Sequence, residues 1–143
     1  MGDSDSDDSI VIEVEDGLDV PTRMSKGSSN YDLSSTRDGV LLPGEVSRLD
    51  LGVKMRLPPA FYAQVQGKSG LALRGIHVHP TVLDGNYRGD ISLVIQNMGH
   101  TPFYFYAGET LARLLVCRCV ATELMLKSVN EDGTHSGFKS NER

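Results

Sequence analysis

Five short patches of the sequence carry the residue types that do chemistry, and strand-like segments separate them. The patches are 30–33 (NYDL), 67–72 (GKSGLA), 83–90 (LDGNYRGD), 108–113 (GETLAR) and 135–140 (HSGFKS). The carboxylates of Asp32 and Asp84 could act as a metal ligand or a general base. Lys68 and Ser69, which lie beside two glycines, could contact an anion. The patches therefore contain candidates for acid–base chemistry on an anionic substrate.

Each patch also has a plain structural interpretation when it is taken alone. Gly67–Ser69 matches the end of a phosphate loop, but Tyr62 stands where that motif requires another glycine, which disfavours a nucleotide-hydrolase P-loop. Backbone amides at a glycine-rich strand-to-helix junction still form a suitable cradle for phosphate. Asp84 with Gly85 is typical of a hairpin turn, and Asp32 could cap a turn. Single patches therefore leave both alternatives open.

Short β-strands are the elements that must position these patches. Alternation of apolar and polar residues places Ile10, Ile12 and Val14 on one face of a first strand. The further strand-like segments, separated by glycine and proline turns, are 39–42, 46–57, 61–66, 91–96, 102–106 and 110–121. Residues 69–74 could form one or two helical turns. The pattern predicts an all-β barrel or sandwich.

The run Phe103–Tyr106 differs from the other strand-like segments because it is apolar at every position. A strand with apolar residues on both faces is expected to be covered on both faces. We therefore predict two covers for this strand, the second of which could be another subunit.

Length and composition limit the class of protein. The chain has 143 residues, enough for one domain that buries roughly two-thirds of its unfolded surface. No apolar run approaches the ~20 residues that cross a bilayer. The amino end shows no basic and apolar leader. We therefore expect an intracellular protein with no membrane partner.

The net charge of −5 is unevenly distributed along the chain. Residues 1–20 contain eight acidic side chains and no Lys or Arg, so the rest of the chain carries 14 basic and 11 acidic side chains. This slight positive excess suits a small anion better than a nucleic-acid backbone, and we expect no direct nucleic-acid binding. We divide the chain into an acidic disordered tail (1–9), a β domain (10–127) and a flexible arm (128–143).

The two cysteines, Cys117 and Cys119, lie two residues apart in a strand-like run. Their side chains would share one strand face about 7 Å apart, which is unfavourable for a disulfide. Both are therefore expected to be reduced, which is consistent with the nucleus or the cytoplasm.

The order and spacing of the five patches resemble the motifs of the trimeric deoxyuridine triphosphatase (dUTPase) family. The most specific element is patch 83–90, with the pattern LDxxYRGD before an apolar strand, and the next is patch 67–72 shortly upstream. The resemblance runs from about Ile10 to Ser140. It implies a dUTPase-like β-barrel or β-clip, a distorted jelly roll, with one short helical turn. It also implies Mg²⁺-dependent hydrolysis of dUTP to dUMP and diphosphate by a homotrimer with shared active sites.

The resemblance assigns a role to each matching residue. By this resemblance Asp84 is the general base that deprotonates the attacking water, and Asp32 holds Mg²⁺ through water. Tyr87 packs against the deoxyribose and leaves no room for a 2′-hydroxyl. A hairpin from His79 to Leu83 reads the uracil edge with its backbone groups. The other substrate-binding residues that the resemblance implies are Lys68, Ser69, Gly70, Arg113, Phe138, Lys139 and Ser140. We expect Asp84 and Tyr87 to project into one cleft, near the junction that carries Ser69.

Several positions depart from the family pattern. In the fourth motif the usual aspartate, arginine and glutamine are replaced by Glu109, Thr110 and Arg113. In the fifth motif the expected arginine is Gly133, and the hairpin carries Pro80 and Thr81 where relatives have a small residue and glycine. The pattern of patch 83–90 is intact while the peripheral motifs have changed. The sequence looks like a viral or otherwise diverged member.

Two alternatives to an active dUTPase follow from these departures and from the shared fold. The first is a protein of the same fold with weak or lost hydrolysis that acts as a protein-binding regulator. The second is the related dCTP deaminase, which needs a glutamate near the cytosine amine. Residues 75–90 contain no glutamate, which disfavours the deaminase.

Overall fold

The computed structural model describes residues 9–18, 21 and 30–131. These residues form ten strands and one short helix: β1 (Val11–Val14), β2 (Asn30–Ser34), β3 (Gly39–Leu41), β4 (Val46–Arg56), β5 (Phe61–Gly67), α1 (Ser69–Ala72), β6 (Ile76–Val78), β7 (Thr81–Leu83), β8 (Arg88–Asn97), β9 (Phe103–Phe105) and β10 (Thr110–Arg118). The prediction of an all-β architecture with one helical turn is confirmed. No helix in the described ranges has the length and apolar character needed to span a membrane.

The strands form two four-stranded sheets and one two-stranded ribbon. The first sheet has the order β1-β4-β8-β6, the second has the order β2-β10-β5-β7, and the ribbon pairs β3 with β9. All pairings are antiparallel. The strands β2, β5, β7 and β10, or the turns that follow them, carry most of the candidate site residues, so the second sheet positions the site.

One hydrophobic core joins the two sheets, and period-two alternation produces it. On β4 the buried side chains are Leu49, Leu51, Val53 and Met55, while the residues between them are exposed or half-buried. Burial of a side chain of this size contributes about 1.5–3 kcal/mol relative to exposure. The first strand follows the prediction in the same way: its even-numbered apolar residues and Ile10 pack against the core, and its odd-numbered residues are exposed.

Within one chain, the strand at Phe103–Tyr106 is covered on one face only, so the second cover predicted for it, which could be another subunit, stays a prediction. Phe103 and Phe105 are 2% exposed, whereas Tyr104 and Tyr106 are 60% and 62% exposed. The strand alternates like any half-buried strand, because each tyrosine points away from the core while its phenylalanine neighbours point into it. Gly39, on the paired strand, makes space for the Phe105 ring, since a Cβ there would lie 2.4 Å from it.

The structure also bears on the predictions for the last strand, the cysteines and the two terminal segments. β10 ends at Arg118 rather than at Ala121, and the segment after it continues without regular secondary structure to residue 131. Cys117 and Cys119 are both free. Most of the acidic tail (1–9) and of the arm (128–143) lies outside the described residues, so these two domain predictions stay predictions.

Candidate active site

A tight turn follows β7 and presents Asp84 at the surface. Leu83 ends β7 with a buried side chain and pairs with Ala63 of β5. The Tyr87 N–H donates to the Asp84 carbonyl oxygen at 3.0 Å, which closes the turn. Asn86 has a φ of +68°, a left-handed conformation that Asn tolerates better than most residues. The Asp84 carboxylate is therefore exposed on a turn of fixed shape.

Gly85 fixes where this turn lies. A Cβ at this position would be 2.7 Å from the Pro59 carbonyl oxygen and 2.9 Å from the Phe61 carbonyl oxygen. Only a residue without a side chain allows the two backbones to approach this closely. The turn that carries Asp84 therefore packs directly on the backbone at the start of β5.

The Tyr87 ring is held against the start of β8. Its hydroxyl donates to the Asp90 carbonyl oxygen at 2.6 Å. A Cβ at Gly89 would lie 3.1 Å from the same hydroxyl, so the absence of a side chain there makes space for the ring. The ring is half-buried and packs against the core. Gly85 and Gly89, the two glycines of patch 83–90, are therefore both explained by close contacts that leave no room for a side chain.

The junction between β5 and α1 forms the second part of the site. Lys68 is half-buried and extended, with a φ of −100° and a ψ of 136°. The Leu71 and Ala72 N–H groups both donate to the Lys68 carbonyl oxygen, so the helix's own bonds leave out the N–H groups of Ser69 and Gly70. Ser69 and Gly70 are exposed, and apart from adjacent residues and the helix's own backbone no described atom lies within 4 Å of where a Gly70 Cβ would be. An anion could therefore approach this backbone.

A polar row crosses the second sheet beside this junction. Arg113 on β10 lies directly opposite Asp32 on β2 and directly opposite Gln66 on β5. Directly opposite residues project from the same face of a sheet, so the three side chains share a face. The next pair along, Ala112 with Gly67, leads into the junction. Asp32 and Arg113 therefore lie at the same end of the sheet as the junction of Lys68, Ser69 and Gly70 that an anion could approach.

Gln66 belongs to this row although it was not among the site residues predicted from the sequence. Gln64 and Gln66 alternate with the buried Ala63 and Val65, so both amides lie on the outer face of β5. The Gln66 Nε2 donates to the Gln64 Oε1 at 2.7 Å. The alternation was visible in the sequence, but only the register shows that Gln66 lies level with Arg113.

Asp32 opens onto space that a hydrated cation could occupy. A cavity of about 660 Å³ lies beside it, with walls from β2, β4 and the turn before β10. Within the described part of the chain, no group of three or more His, Cys, Asp or Glu side chains could hold a metal ion. Mg²⁺ usually keeps several waters and takes one or two carboxylates together with substrate phosphates. A lone carboxylate beside an open cavity fits that donor set and does not fit an all-protein cage.

One chain does not bring the two parts of the site together. The turn with Asp84 packs at the start of β5, and the junction with Ser69 follows its end. β5 has seven residues, which at about 3.3 Å per residue separates its ends by roughly 20 Å. The expected proximity of Asp84 and Tyr87 to the Ser69 junction is therefore absent within a single chain.

The segment from His79 to Leu83 is not a paired hairpin, contrary to the prediction. β6 pairs with β8 in the first sheet, and β7 pairs with β5 in the second. Pro80 lies between them and has no N–H with which to continue a ladder. The His79 N–H donates to the Val94 carbonyl oxygen, and the His79 side chain is exposed. Among the described strands β7 lies at the edge of its sheet, so the outer side of its backbone makes no ladder bonds to them.

The remaining predicted site residues, Phe138, Lys139 and Ser140, lie outside the described residues. Of the changed fourth-motif positions, Glu109 has a local structural contact, because its Oε1 accepts the Tyr106 N–H at 3.1 Å. Thr110 lies at the start of β10, where its hydroxyl is 3.3 Å from that of Ser34.

Known proteins share both the sequence and the fold of this chain. The sequence model of the dUTPase family matches residues 16–141. The chain is 36% identical over 104 residues to the deoxyuridine 5′-triphosphate nucleotidohydrolase of Vaccinia virus (strain Copenhagen), with 73% of this chain and 71% of the relative covered. It is 34% identical over 127 residues to the protein of the same name from Caldanaerobacter subterraneus, with 82% and 86% covered. The chain belongs to the dUTPase family.

Solved structures agree on the fold. A dUTPase of Staphylococcus bacteriophage 80alpha with dUpNHpp superimposes with a TM-score of 0.75 at 17% identity, over 88% of this chain and 99% of that one. The EIAV dUTPase gives a TM-score of 0.73 at 18% identity, over 87% and 100%. The predicted dUTPase-like β-barrel or β-clip fold is thereby confirmed.

Proposed function

We propose that this member of the dUTPase family is a dUTP diphosphatase that converts dUTP and water to dUMP and diphosphate. The observation that carries the proposal is the turn from Asp84 to Tyr87, which exposes the Asp84 carboxylate and is followed by a tyrosine ring whose hydroxyl is held by the Asp90 carbonyl oxygen. Such an activity in the nucleus or cytoplasm limits the incorporation of uracil into DNA and supplies dUMP.

The proposed chemistry is an in-line attack of water on the α-phosphorus. The Asp84 carboxylate accepts a proton from the water as the new P–O bond forms. The bond from the α-phosphorus to the bridging oxygen breaks, and diphosphate leaves with the electron pair. A positioned general base of this kind contributes about 10²- to 10⁴-fold in rate.

Mg²⁺ is the proposed cofactor, and Asp32 would hold it through water. When bound, the ion neutralises charge on the three phosphates. The similar dUTPase from phage phi11 of S. aureus is described with a structural Mg(II) ion. The proposed phosphate contacts of this chain are Lys68, Ser69, Gly70 and Arg113, all near one end of the second sheet.

The proposed enzyme is a homotrimer whose active sites are shared between subunits. The separation of Asp84 from Ser69 supports this arrangement, because the turn of one copy must meet the junction of another. A second support is the exposed apolar segment after β10, where Val120, Leu124 and Val129 are at least 80% exposed. A neighbouring copy would cover these side chains. The proposed arm residues Phe138, Lys139 and Ser140 would close over the base and phosphates from a neighbouring subunit.

The proposed specificity for a uracil deoxynucleotide has two sources. The Tyr87 ring, held by Asp90 and given space by Gly89, would contact the deoxyribose and exclude a 2′-hydroxyl. The segment from His79 to Leu83 would read the base. Uracil presents one N–H between two carbonyl groups, a pattern that the outer backbone edge of β7 could match.

Diphosphate release by the purified full chain with Mg²⁺ tests this function. We expect release from dUTP and almost none from UTP or dTTP. Asp84→Asn should abolish release while nucleotide binding is retained, because the amide cannot accept the proton. Asp50→Asn is the matched control, since Asp50 is an exposed aspartate of the other sheet that pairs with Arg48. If the unmutated protein binds dUTP without turnover, the protein-binding regulator is favoured instead.

A further inference from the structure

The turn that carries Asp84 rests on a short backbone segment, residues 58–61, which we call the seat. The seat comprises the loop between β4 and β5 and the first residue of β5. The carbonyl oxygens of Pro59 and Phe61 approach Gly85 so closely that a Cβ there would lie 2.7 Å and 2.9 Å from them. The two prolines of the seat have no N–H with which to bond to a neighbouring strand. The position of the turn therefore depends on what holds the seat.

The end of β10 holds the seat. In the second sheet β5 lies between β7 and β10, so β10 contacts the seat from the side opposite the turn. The Cys119 N–H donates to the Ala60 carbonyl oxygen at 2.9 Å. Arg118 lies directly opposite Phe61, and its guanidinium carbon is 4.9 Å from the centre of the Phe61 ring. A cation within about 6 Å of the face of an aromatic ring is attracted by it, so the exposed Arg118 side chain fixes the half-buried ring.

Arg118, Phe61 and the turn lie in one row across the second sheet. Ala63 of β5 pairs with Leu83 of β7, and continuing this antiparallel register by two residues places Gly85 level with Phe61. The close approach of Gly85 to the Phe61 carbonyl oxygen agrees with that register. A shift of the Phe61 ring would move the same residue's carbonyl oxygen, against which Gly85 packs. The row therefore connects the Arg118 side chain to the turn.

We infer that Arg118 is a positioning residue for the reaction and acts on Asp84 through Phe61 and Gly85. The inference rests on the proposed function, because it takes Asp84 as the group that accepts the proton from water. A general base must be held close to its working position, and a displacement of about 1 Å can cost about 100-fold in rate. The proposed phosphate contacts lie beyond the other end of β5. Loss of the Arg118 stack therefore lowers kcat and leaves KM almost unchanged.

Steady-state kinetics of diphosphate release from dUTP by the full chain in Mg²⁺ test the inference. Arg118→Met keeps a long side chain without the charge and should lower kcat by about 10-fold, with less than about a twofold change in KM. Arg118→Lys keeps a cation but loses the planar group that stacks on the ring, so its kcat should fall between the two. Phe61→Leu should cause the same loss as Arg118→Met. The double variant should be no slower than either single variant, because both changes break one contact.

Amide hydrogen exchange reports on the turn without any turnover of substrate. The Tyr87 N–H closes the turn by its bond to the Asp84 carbonyl oxygen, so it should exchange about 10-fold faster in Arg118→Met. Amides of the ladder between β4 and β8 belong to the other sheet and should exchange as in the unmutated protein. A uniform increase in both groups would show that Arg118 only stabilises the whole fold and would overturn the inference.

Arg74→Met is the matched control, because the Arg74 guanidinium carbon lies 5.1 Å from the centre of the Phe103 ring, in a similar stack away from the seat. It should leave kcat unchanged. An unchanged kcat in Arg118→Met, or an equal loss in Arg74→Met, would overturn the inference. A loss in Arg118→Met that accompanies a smaller assembled mass in sedimentation would also overturn it, since Arg118 would then act in assembly.

Failure of the proposed function is seen separately, as absence of diphosphate release from dUTP by the unmutated protein in Mg²⁺. In that case unchanged exchange of the Tyr87 N–H in Arg118→Met would still refute the connection between Arg118 and the turn.

Discussion

Asp84 and Ser69 of one chain lie beyond opposite ends of β5, roughly 20 Å apart along the strand. The close approach of Gly85 to Pro59 and Phe61 holds the first of them at the start of that strand. No side-chain rotation spans this distance. The two groups can act on one nucleotide only if different copies of the chain supply them.

Substitution of Gly85 should impair both stability and activity. A Cβ in Gly85→Ala would lie 2.7 Å from the Pro59 carbonyl oxygen, so the turn must move. A displacement of about 1 Å at a catalytic group can cost about 100-fold in rate, and we expect a loss of that order in kcat/KM. Asn86→Gly is the matched control in the same turn, since glycine accepts its φ of +68°. Equal losses for the two variants would contradict this explanation.

Two variants of Tyr87 should distinguish the role of its ring from the role of its hydroxyl. Tyr87→Phe loses the bond to the Asp90 carbonyl oxygen and should lower the free energy of unfolding by about 1 kcal/mol. Because the ring remains, discrimination between dUTP and UTP should persist. Tyr87→Ala removes the ring and should raise kcat/KM for UTP relative to dUTP. The ratio of the two kcat/KM values is the measurement, and unchanged discrimination by Tyr87→Ala would refute the role of the ring.

Asp32 should set the requirement for Mg²⁺. We expect Asp32→Asn to raise the Mg²⁺ concentration that gives half-maximal diphosphate release, because a neutral amide attracts a hydrated cation less than a carboxylate does. Asp38→Asn is the control, as the Asp38 carboxylate accepts the Ala107 N–H and lies outside the polar row. A Mg²⁺ titration of each variant decides the question. An unchanged half-maximal concentration in Asp32→Asn would remove Asp32 from the proposed metal site.

The packing of β8 between its neighbours predicts where stability resides. Leu93→Ala removes a side chain that is fully buried and should lower the free energy of unfolding by about 2–5 kcal/mol. Val94→Ala changes the next residue, which faces outward, and should have a much smaller effect. Urea unfolding followed by circular dichroism measures both. Similar losses of unfolding free energy in the two variants would contradict the assignment of Leu93 to the buried face of β8 and Val94 to its outer face.

Local patterns predicted much of this fold because they report which face of a strand is buried. The alternation around Ile12 and the turn at Asp84 both follow from neighbouring residues. The second cover predicted for Phe103–Tyr106 is not supplied by the same chain, in which Tyr104 is 60% exposed.

Contacts between residues far apart in the sequence could not be predicted as well as local structure. Motif spacing along a chain gives no register, so it could not show that Arg113 lies between Asp32 and Gln66. Nor could it show that Pro80 separates two strands of different sheets. The same limit explains why one cleft was expected where a single chain holds two separated half-sites.

The central claim is that Asp84 of one copy works with the Ser69 junction of another, and subunit mixing tests it most directly. One variant carries Asp84→Asn, and the other carries Asp32→Asn with Ser69→Ala. Each alone should release almost no diphosphate from dUTP. Co-expressed, random assembly should place both intact halves together in roughly a quarter of the sites and restore activity in proportion. Mixed subunits that stay as inactive as the separate variants, while the unmutated protein hydrolyses dUTP, would contradict a shared site.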